Sequence, residues 1–263
     1  MRLSGAVCLV TGASAGIGAA TAVRLARSGA RVLLHGRDTT RLGELAGQLG
    51  DRLAGIPIAA DLGEPDGPAR VAEQALAQAG RVDVLVNNAG IGWAGGLHTM
   101  PPDQITHLVT VNLAAPLVLT RLLLPGMCER GHGQVVMVSS IAGCVGVGQE
   151  AVYAATKAGL NAFCDSLRDE LVGTGVGVCT VVPGVVDTDF FTRRGTPYRR
   201  ARPRPIPAER VAAAILTAVR NGRAETYAPA WMRLPARLHG AMPATFRRFA
   251  ARATRTGDDL NRP

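Results

Sequence analysis

Short apolar runs alternate along this chain with longer stretches whose apolar residues return every third or fourth position. The runs at 6–11, 31–36, 55–60, 82–86, 134–138 and 177–182 are rich in Val, Leu, Ile and Ala, which predicts buried strands. A shorter strand is predicted around Thr226-Tyr227. Helical spacing covers a stretch ending near Ser28 and those at 39–49, 65–79, 101–130, 149–172 and 206–221. Strands and helices in such alternation build an α/β fold, a doubly wound parallel sheet with helices on both faces. Sheets of this kind take ligands at the carboxyl ends of their strands.

The residues at those strand ends are therefore the ones to read for chemistry. The first strand runs into Thr11-Gly12-Ala13-Ser14-Ala15-Gly16-Ile17-Gly18 and an Ala-rich helix. Glycines at 12, 16 and 18 permit a tight turn and the close approach of a pyrophosphate to a helix N-terminus. Their spacing is G-x-x-x-G-x-G, so the generic dinucleotide pattern is not matched literally. The second strand ends at His35-Gly36-Arg37-Asp38. An arginine there suits a 2′-phosphate, so NADP(H) is favoured over NAD(H), with Asp38 as a helix cap the plainer alternative. Asp61-Leu62 at the third strand end could meet adenine, or Asp61 could be an ordinary turn residue. Asn87-Asn88-Ala89-Gly90 follows the fourth strand, and Ser139-Ser140 the fifth.

Asn112 sits amid apolar residues and must find partners, or hold a water. Tyr153 and Lys157 stand four residues apart in a helical pattern, so they share a face. Lys157 is the single lysine beside 28 arginines. An ammonium favours phenolate over phenol, which predicts a lowered tyrosine pKa and a usable general acid or base. A solvated Tyr-Lys pair is the plain alternative. Pro183-Gly184-Val185-Val186-Asp187-Thr188 closes the sixth strand.

Composition adds limits. The 263 residues are 47% hydrophobic but only 4% aromatic, which suits a core of Ala, Val and Leu in one large domain. Five cysteines are scattered without metal-ligand spacing, no metal site is expected, and the five histidines form no cluster. The first strand begins too early for a signal peptide, and no apolar run is read as long enough to cross a membrane, so a cytoplasmic location is expected. Residues 1–192 carry 13 basic and 16 acidic side chains, net −3, whereas residues 193–263 carry 16 and 4, net +12. The positive excess is thus confined to the last quarter, where an anionic partner would be sought. There Trp231, Leu234, Leu238, Met242, Phe246 and Phe249 recur every three or four residues among Arg233, Arg237, Arg247, Arg248 and Arg252. Pro235 and Pro243 are expected to divide the stretch into short helices. Such a stripe packs on the protein's own body or a sister subunit, or lies on an anionic membrane. No nucleic-acid motif accompanies the charge.

In order and spacing, Thr11-Gly12-x-x-x-Gly16-Ile17-Gly18, Asn87-Asn88-Ala89-Gly90, Asn112, Ser140, Tyr153-x-x-x-Lys157 and Pro183-Gly184 resemble the motifs of the short-chain dehydrogenase/reductase family, over roughly residues 4–228. The resemblance implies an NAD(P)-dependent oxidoreductase on a single-domain Rossmann fold with a seven-stranded sheet. It also implies a homodimer or homotetramer. Residues 1–228 would be the catalytic domain, 188–206 a substrate lid, and 229–263 a basic amphipathic extension. Carried over, Tyr153 would exchange a proton with the substrate oxygen and Lys157 would lower its pKa. Ser140 would orient the carbonyl, and Asn112 would hold a water linking Lys157 to solvent. Cofactor would lie along Gly12, Ser14, Ala15, Gly16, Ile17 and Gly18, then Arg37, Asp61 and Leu62. Asn88, Ala89, Gly90, Tyr153, Lys157, Pro183, Gly184, Val186 and Thr188 would complete its path. A carbonyl/secondary-alcohol pair is the expected substrate, and a lipophilic one would suit Trp93, Met100 and the apolar tail. A non-catalytic dinucleotide sensor docking through the basic tail is the rival, though it has no need of a Ser-Tyr-Lys set.

Overall fold

A computed structural model describes residues 1–50, 55–198 and 202–246. Its strands are β1 (Val7–Thr11), β2 (Arg31–Gly36), β3 (Gly55–Ala59), β4 (Val84–Asn87), β5 (Gly133–Val138), β6 (Val176–Pro183), β7 (Val186–Asp187), β8 (Ile206–Pro207) and β9 (Glu225–Ala228). Its α-helices are α1 (Gly16–Arg27), α2 (Thr39–Leu49), α3 (Gly67–Ala79), α4 (Pro102–Val109), α5 (Ala115–Glu129), α6 (Ala142–Val145), α7 (Ala151–Glu170), α8 (Phe190–Arg193), α9 (Ala208–Asn221) and α10 (Arg233–Ala241).

Seven strands form one parallel sheet in the order β3-β2-β1-β4-β5-β6-β9. The seven-stranded doubly wound fold expected from the sequence is the fold found. Strand alternation explains the layering. Cys8 and Val10 of β1 face a core that includes Leu25 of α1, Leu42 of α2 and Ile215 of α9. Val7 and Leu9 face the opposite core, with Val71 of α3, Leu119 of α5 and Leu160 of α7. Each large aliphatic so buried stabilises the fold by roughly 2 kcal/mol. The chain steps outward from β1 through β2 to β3, then returns to β4 on the other side of β1. That reversal opens a crevice above the carboxyl ends of β1 and β4.

The amino ends are tied instead. Asp83, 2% exposed, accepts hydrogen bonds from the Val7 amide at 2.9 Å and from Arg81 Nε at 3.0 Å.

Four sequence expectations change. The stretch read as one helix over 101–130 contains a π-helical turn, Thr110–Ala114, between α4 and α5. The whole segment Pro102–Glu129 is 28 residues long with a window of mean hydropathy 1.7, so an apolar run of membrane-spanning length does exist. It is apolar because Leu108, Leu119, Leu123 and Met127 are buried in the protein's own core, while Val109, Val118 and Leu122 are exposed. The helix read from 149 begins at Ala151, and α6 precedes it. At the two ends of the segment read as a substrate lid, 188–206, β7 and β8 pair as a small second sheet, and α8 lies between them in the chain. Finally, within the described residues the C-terminal stripe is largely not packed on this chain's own body, which leaves a sister subunit or a membrane as its partner. Met232 is buried, but Trp231, Leu234, Leu238 and Met242 are 57%, 63%, 42% and 52% exposed. Pro235 is accommodated in the first turn of α10, where no intrahelical donor is required. Arg247, Arg248, Phe249 and Arg252 lie outside the described residues.

Candidate active site

The crevice is a cleft of about 750 Å³ lined from the glycine turn to α8. At one end, Gly12 and Gly16 hold φ of +66° and +55°, conformations that favour glycine. Gly18 serves a different need. A Cβ there would stand 2.1 Å from the Gly12 carbonyl oxygen and 2.7 Å from Asn88 Nδ2. The Asn88 amide donates to Thr11 O at 2.9 Å and to Gly12 O at 3.3 Å, and Thr11 Oγ1 accepts from the Asn88 and Ala89 amides. The turn is thereby bolted to the end of β4. Behind it α1 starts with no side-chain cap on Ala15 and no acidic residue in its first turn. Its first N–H groups and dipole thus face the cleft uncompensated, a setting that fits a dinucleotide diphosphate. Gly18→Ala is expected to cut dinucleotide affinity by about 100-fold and to destabilise the protein by about 2 kcal/mol, read by titration and by melting.

Next along the cleft, the Arg37 side chain is 63% exposed and pairs with Asp61, Nη1 to Oδ2 3.4 Å. Burial pushes the Asp61 carboxyl up, but the Gly63 amide at 2.9 Å and the Arg37 cation prevail and hold it below its ordinary value. Asp61 is therefore both the turn residue and a cleft residue. Asp38 is the cap of α2, accepting from the Arg41 amide at 3.0 Å. Leu62 is buried beside them. His35 lines the same end, a residue to which sequence reasoning gave no role. Burial lowers its pKa to about 4, so it is a neutral imidazole, bonded to Ala60 O at 3.2 Å.

At the other end β5 delivers Ser139 and Ser140. Ser139 Oγ donates to Lys157 O at 3.1 Å, fixing α7 against the sheet. Ser140 Oγ accepts from the Ala142 amide at 3.2 Å and hydrogen-bonds Tyr153. Tyr153 and Lys157 are 9% and 4% exposed, so the pair is not on a solvated helix face. Lys157 Nζ donates to Val138 O at 3.0 Å and lies 5.8 Å from the tyrosine ring centroid.

The electrostatics correct the expectation of a lowered tyrosine pKa. Burial pushes the phenol up to about 12, with Ser140 and Arg194 acting against that and Glu150 adding to it. Burial likewise pulls the Lys157 ammonium down to about 8. The Lys157 ammonium, bonded to Val138 O and 5.8 Å from the ring centroid, does not offset the phenol's desolvation.

Asn112, in the π turn, accepts from the Ile91 amide at 2.8 Å and donates to Ile91 O at 2.8 Å. Its side chain pins the loop after β4 to the helix and does not itself line the cleft. Gly18 is the other expected residue that stays behind the lining. Pro183, Gly184, Val186 and Thr188 do line it, Thr188 Cγ2 lying 2.9 Å from where a Gly16 Cβ would be. The substrate end is walled by Ile91, Val147, Phe190, Phe191 and Tyr198, with Glu150 and Arg194 joined to each other. None of these seven was singled out individually from sequence, although Phe190, Phe191, Arg194 and Tyr198 fall in the stretch expected to be a substrate lid.

Comparison with known proteins is consistent with this geometry. A family model described as short chain dehydrogenase matches residues 6–198. The ketoacyl reductase HetN of Nostoc is 37% identical over 229 residues, covering 85% of this chain and 78% of that protein. A short-chain dehydrogenase from Sphingobium yanoikuyae, solved in complex with NADPH, superposes with a TM-score of 0.79 at 29% identity, covering 98% and 96% of the two chains. A 3-ketoacyl-(acyl-carrier-protein) reductase from Brucella melitensis, solved with NADH, gives 0.79 at 28% identity over 86% and 97%.

Proposed function

We propose, from the premise that this chain belongs to the short-chain dehydrogenase/reductase family and is an NAD(P)-dependent oxidoreductase, that it interconverts a carbonyl and a secondary alcohol using NADP(H), with Tyr153 as general acid/base. The observation that carries this reading is the meeting of Ser140, Tyr153 and Lys157 in one cleft with the glycine turn. Bound NADP(H) would give or take the hydride. The chain's part is placement and proton transfer. Ser140 orients the substrate oxygen by hydrogen bond. Tyr153, protonated at neutral pH, donates its phenolic proton to that oxygen during reduction and accepts it during oxidation. Lys157 supports the tyrosine and the nicotinamide ribose. Asn112 holds the Ile91 loop in place beside the cleft.

Arg37 would pair with the 2′-phosphate in place of Asp61. Relatives solved with NADPH and with NADH frame that choice. Arg37→Ala is expected to weaken NADP(H) by about tenfold and leave NAD(H) unchanged, read by titration with each cofactor. Equal wild-type affinity for both cofactors would overturn the preference. The apolar wall of Ile91, Val147 and Phe190 favours a lipophilic substrate, and the ketoacyl reductases among the relatives make acyl ketones the first compounds to try. A carbonyl and alcohol panel followed at the nicotinamide absorbance tests the reaction. We further propose a homo-oligomer, supported by exposed Val118 and Leu122 on α5 and by the stripe on α10.

A further inference from the structure

One ion pair differs from the rest. Arg194 Nη1 lies 2.5 Å from Glu150 Oε1, with side chains only 7% and 16% exposed. In every other ion pair among the described residues, at least one side chain is 29% exposed or more. It joins residues 44 apart in sequence, across the substrate end of the cleft. Arg194 is the C-terminal cap of α8, the helix that follows β7. Its guanidinium also lies 4.6 Å from the Phe191 ring centroid, and its Nε donates to Thr196 O at 3.1 Å. Glu150 immediately precedes α7, three residues before Tyr153.

Beside this pair sits Phe190, whose carbonyl accepts from the Arg194 amide at 3.1 Å. Its ring centroid is 5.6 Å from that of Tyr153, and Phe190 Cζ lies 2.7 Å from where a Gly92 Cβ would stand. A phenylalanine fixed this way packs against the ring of Tyr153, which is 9% exposed.

We propose that Glu150 and Arg194 are positioning residues. Their ion pair clasps α8 to the start of α7, seats Phe190 over Tyr153, and presents the tyrosine with two charges that offset each other. The clasp needs both partners. An exposed pair contributes little, but removing one member of a buried pair leaves the other charge uncompensated. The charged groups facing Tyr153 are Glu150 and Lys157 from its own helix side and Arg194 from α8, with the Ser140 hydroxyl after β5. A lone anion beside a phenol disfavours phenolate and raises its pKa, whereas a lone cation lowers it. Deleting either partner therefore has opposite electrostatic consequences but the same mechanical one. That asymmetry separates positioning from mere structural support.

The inference rests on Tyr153 being the proton-transfer group, so one measurement is independent of turnover. Trypsin cleavage after Arg193, resolved by mass, reports release of α8. It is expected to quicken about tenfold in Glu150→Gln. In alcohol oxidation, the acid limb of kcat/KM against pH is expected to move down by about one pH unit in Glu150→Gln and up by about one in Arg194→Gln. The double variant should return the limb to the wild-type position while keeping a KM raised about tenfold. Arg194→Lys, which retains the charge, should keep the wild-type limb. Melting curves establish that each variant is folded.

Unchanged cleavage in folded Glu150→Gln overturns the clasp whatever the enzyme catalyses. Limbs that stay put, or move the same way in both single variants, overturn the electrostatic half. Full activity of Tyr153→Phe would instead sink the proposed reaction and leave the cleavage result to judge the clasp.

Discussion

Tyr153→Phe should lower kcat by about 10³-fold while leaving NADP(H) affinity within about twofold, because it removes one proton and little shape. The phenol is 9% exposed and bonded to Ser140, so the variant should also lose about 1 kcal/mol of stability. A further consequence comes from the direction of its pKa. With the phenol pushed up to about 12, the group is an acid throughout the neutral range. Reduction should therefore be nearly flat from pH 6 to 8, while oxidation, which needs the phenolate, should climb steadily with pH. Turnover by the variant above a tenth of wild type, with cofactor saturating, would remove Tyr153 from the proposed role.

Lys157→Met is expected to act in opposite senses on activity and on stability. Burial draws the ammonium down from 10.5 to about 8. At pH 7 folded and unfolded chains both hold the proton, so the folded state carries the full cost of a buried cation. Between about pH 8 and 10.5 the folded protein gives up its proton while the unfolded chain keeps it, and wild-type stability rises across that window. The cost at pH 7 is on the order of 3 kcal/mol, offset by about 1 kcal/mol for the bond to Val138 O. The apolar replacement should melt about 5 °C higher at pH 7, and its advantage should shrink by pH 10. Turnover should fall about 100-fold. A variant that melts lower than wild type at pH 7 would show that the amine contributes more by bonding than it costs by burial. This is the expected trade of an active site: the charge is kept in the core for chemistry, against the fold's own preference.

How far the sequence predicts the site depends on how local each determinant is. The glycine turn was readable because strand, turn and helix are contiguous, and the turn's backbone demands leave a mark at positions 12, 16 and 18. The Tyr153-Lys157 face was readable from helical spacing alone. The direction of the tyrosine shift was not, since desolvation depends on Phe190 and the loop after β4, which no local pattern brings to α7. Asn112 was correctly seen to need partners, but its partners on Ile91 lie 21 residues away, and the π turn that aims it has no sequence period of its own. Glu150 and Arg194 were missed for the same reason. In a chain so rich in arginine, one more on a Pro/Arg-rich segment carries no signal until its carboxylate is found.

Lys157 is the chain's sole side-chain primary amine, and it lies at the bottom of the cleft with 4% of its surface accessible. Reagents selective for lysine thus have no peripheral side-chain target on this protein and can modify a side chain only by travelling the route a ligand takes. Outside the cleft, acylating agents and aldehydes would meet only the Met1 α-amine, which bonds the Arg220 carbonyl, because the remaining positive charge comes from guanidinium groups. Protection of that one amine becomes a direct gauge of cleft occupancy, free of background labelling from other lysines.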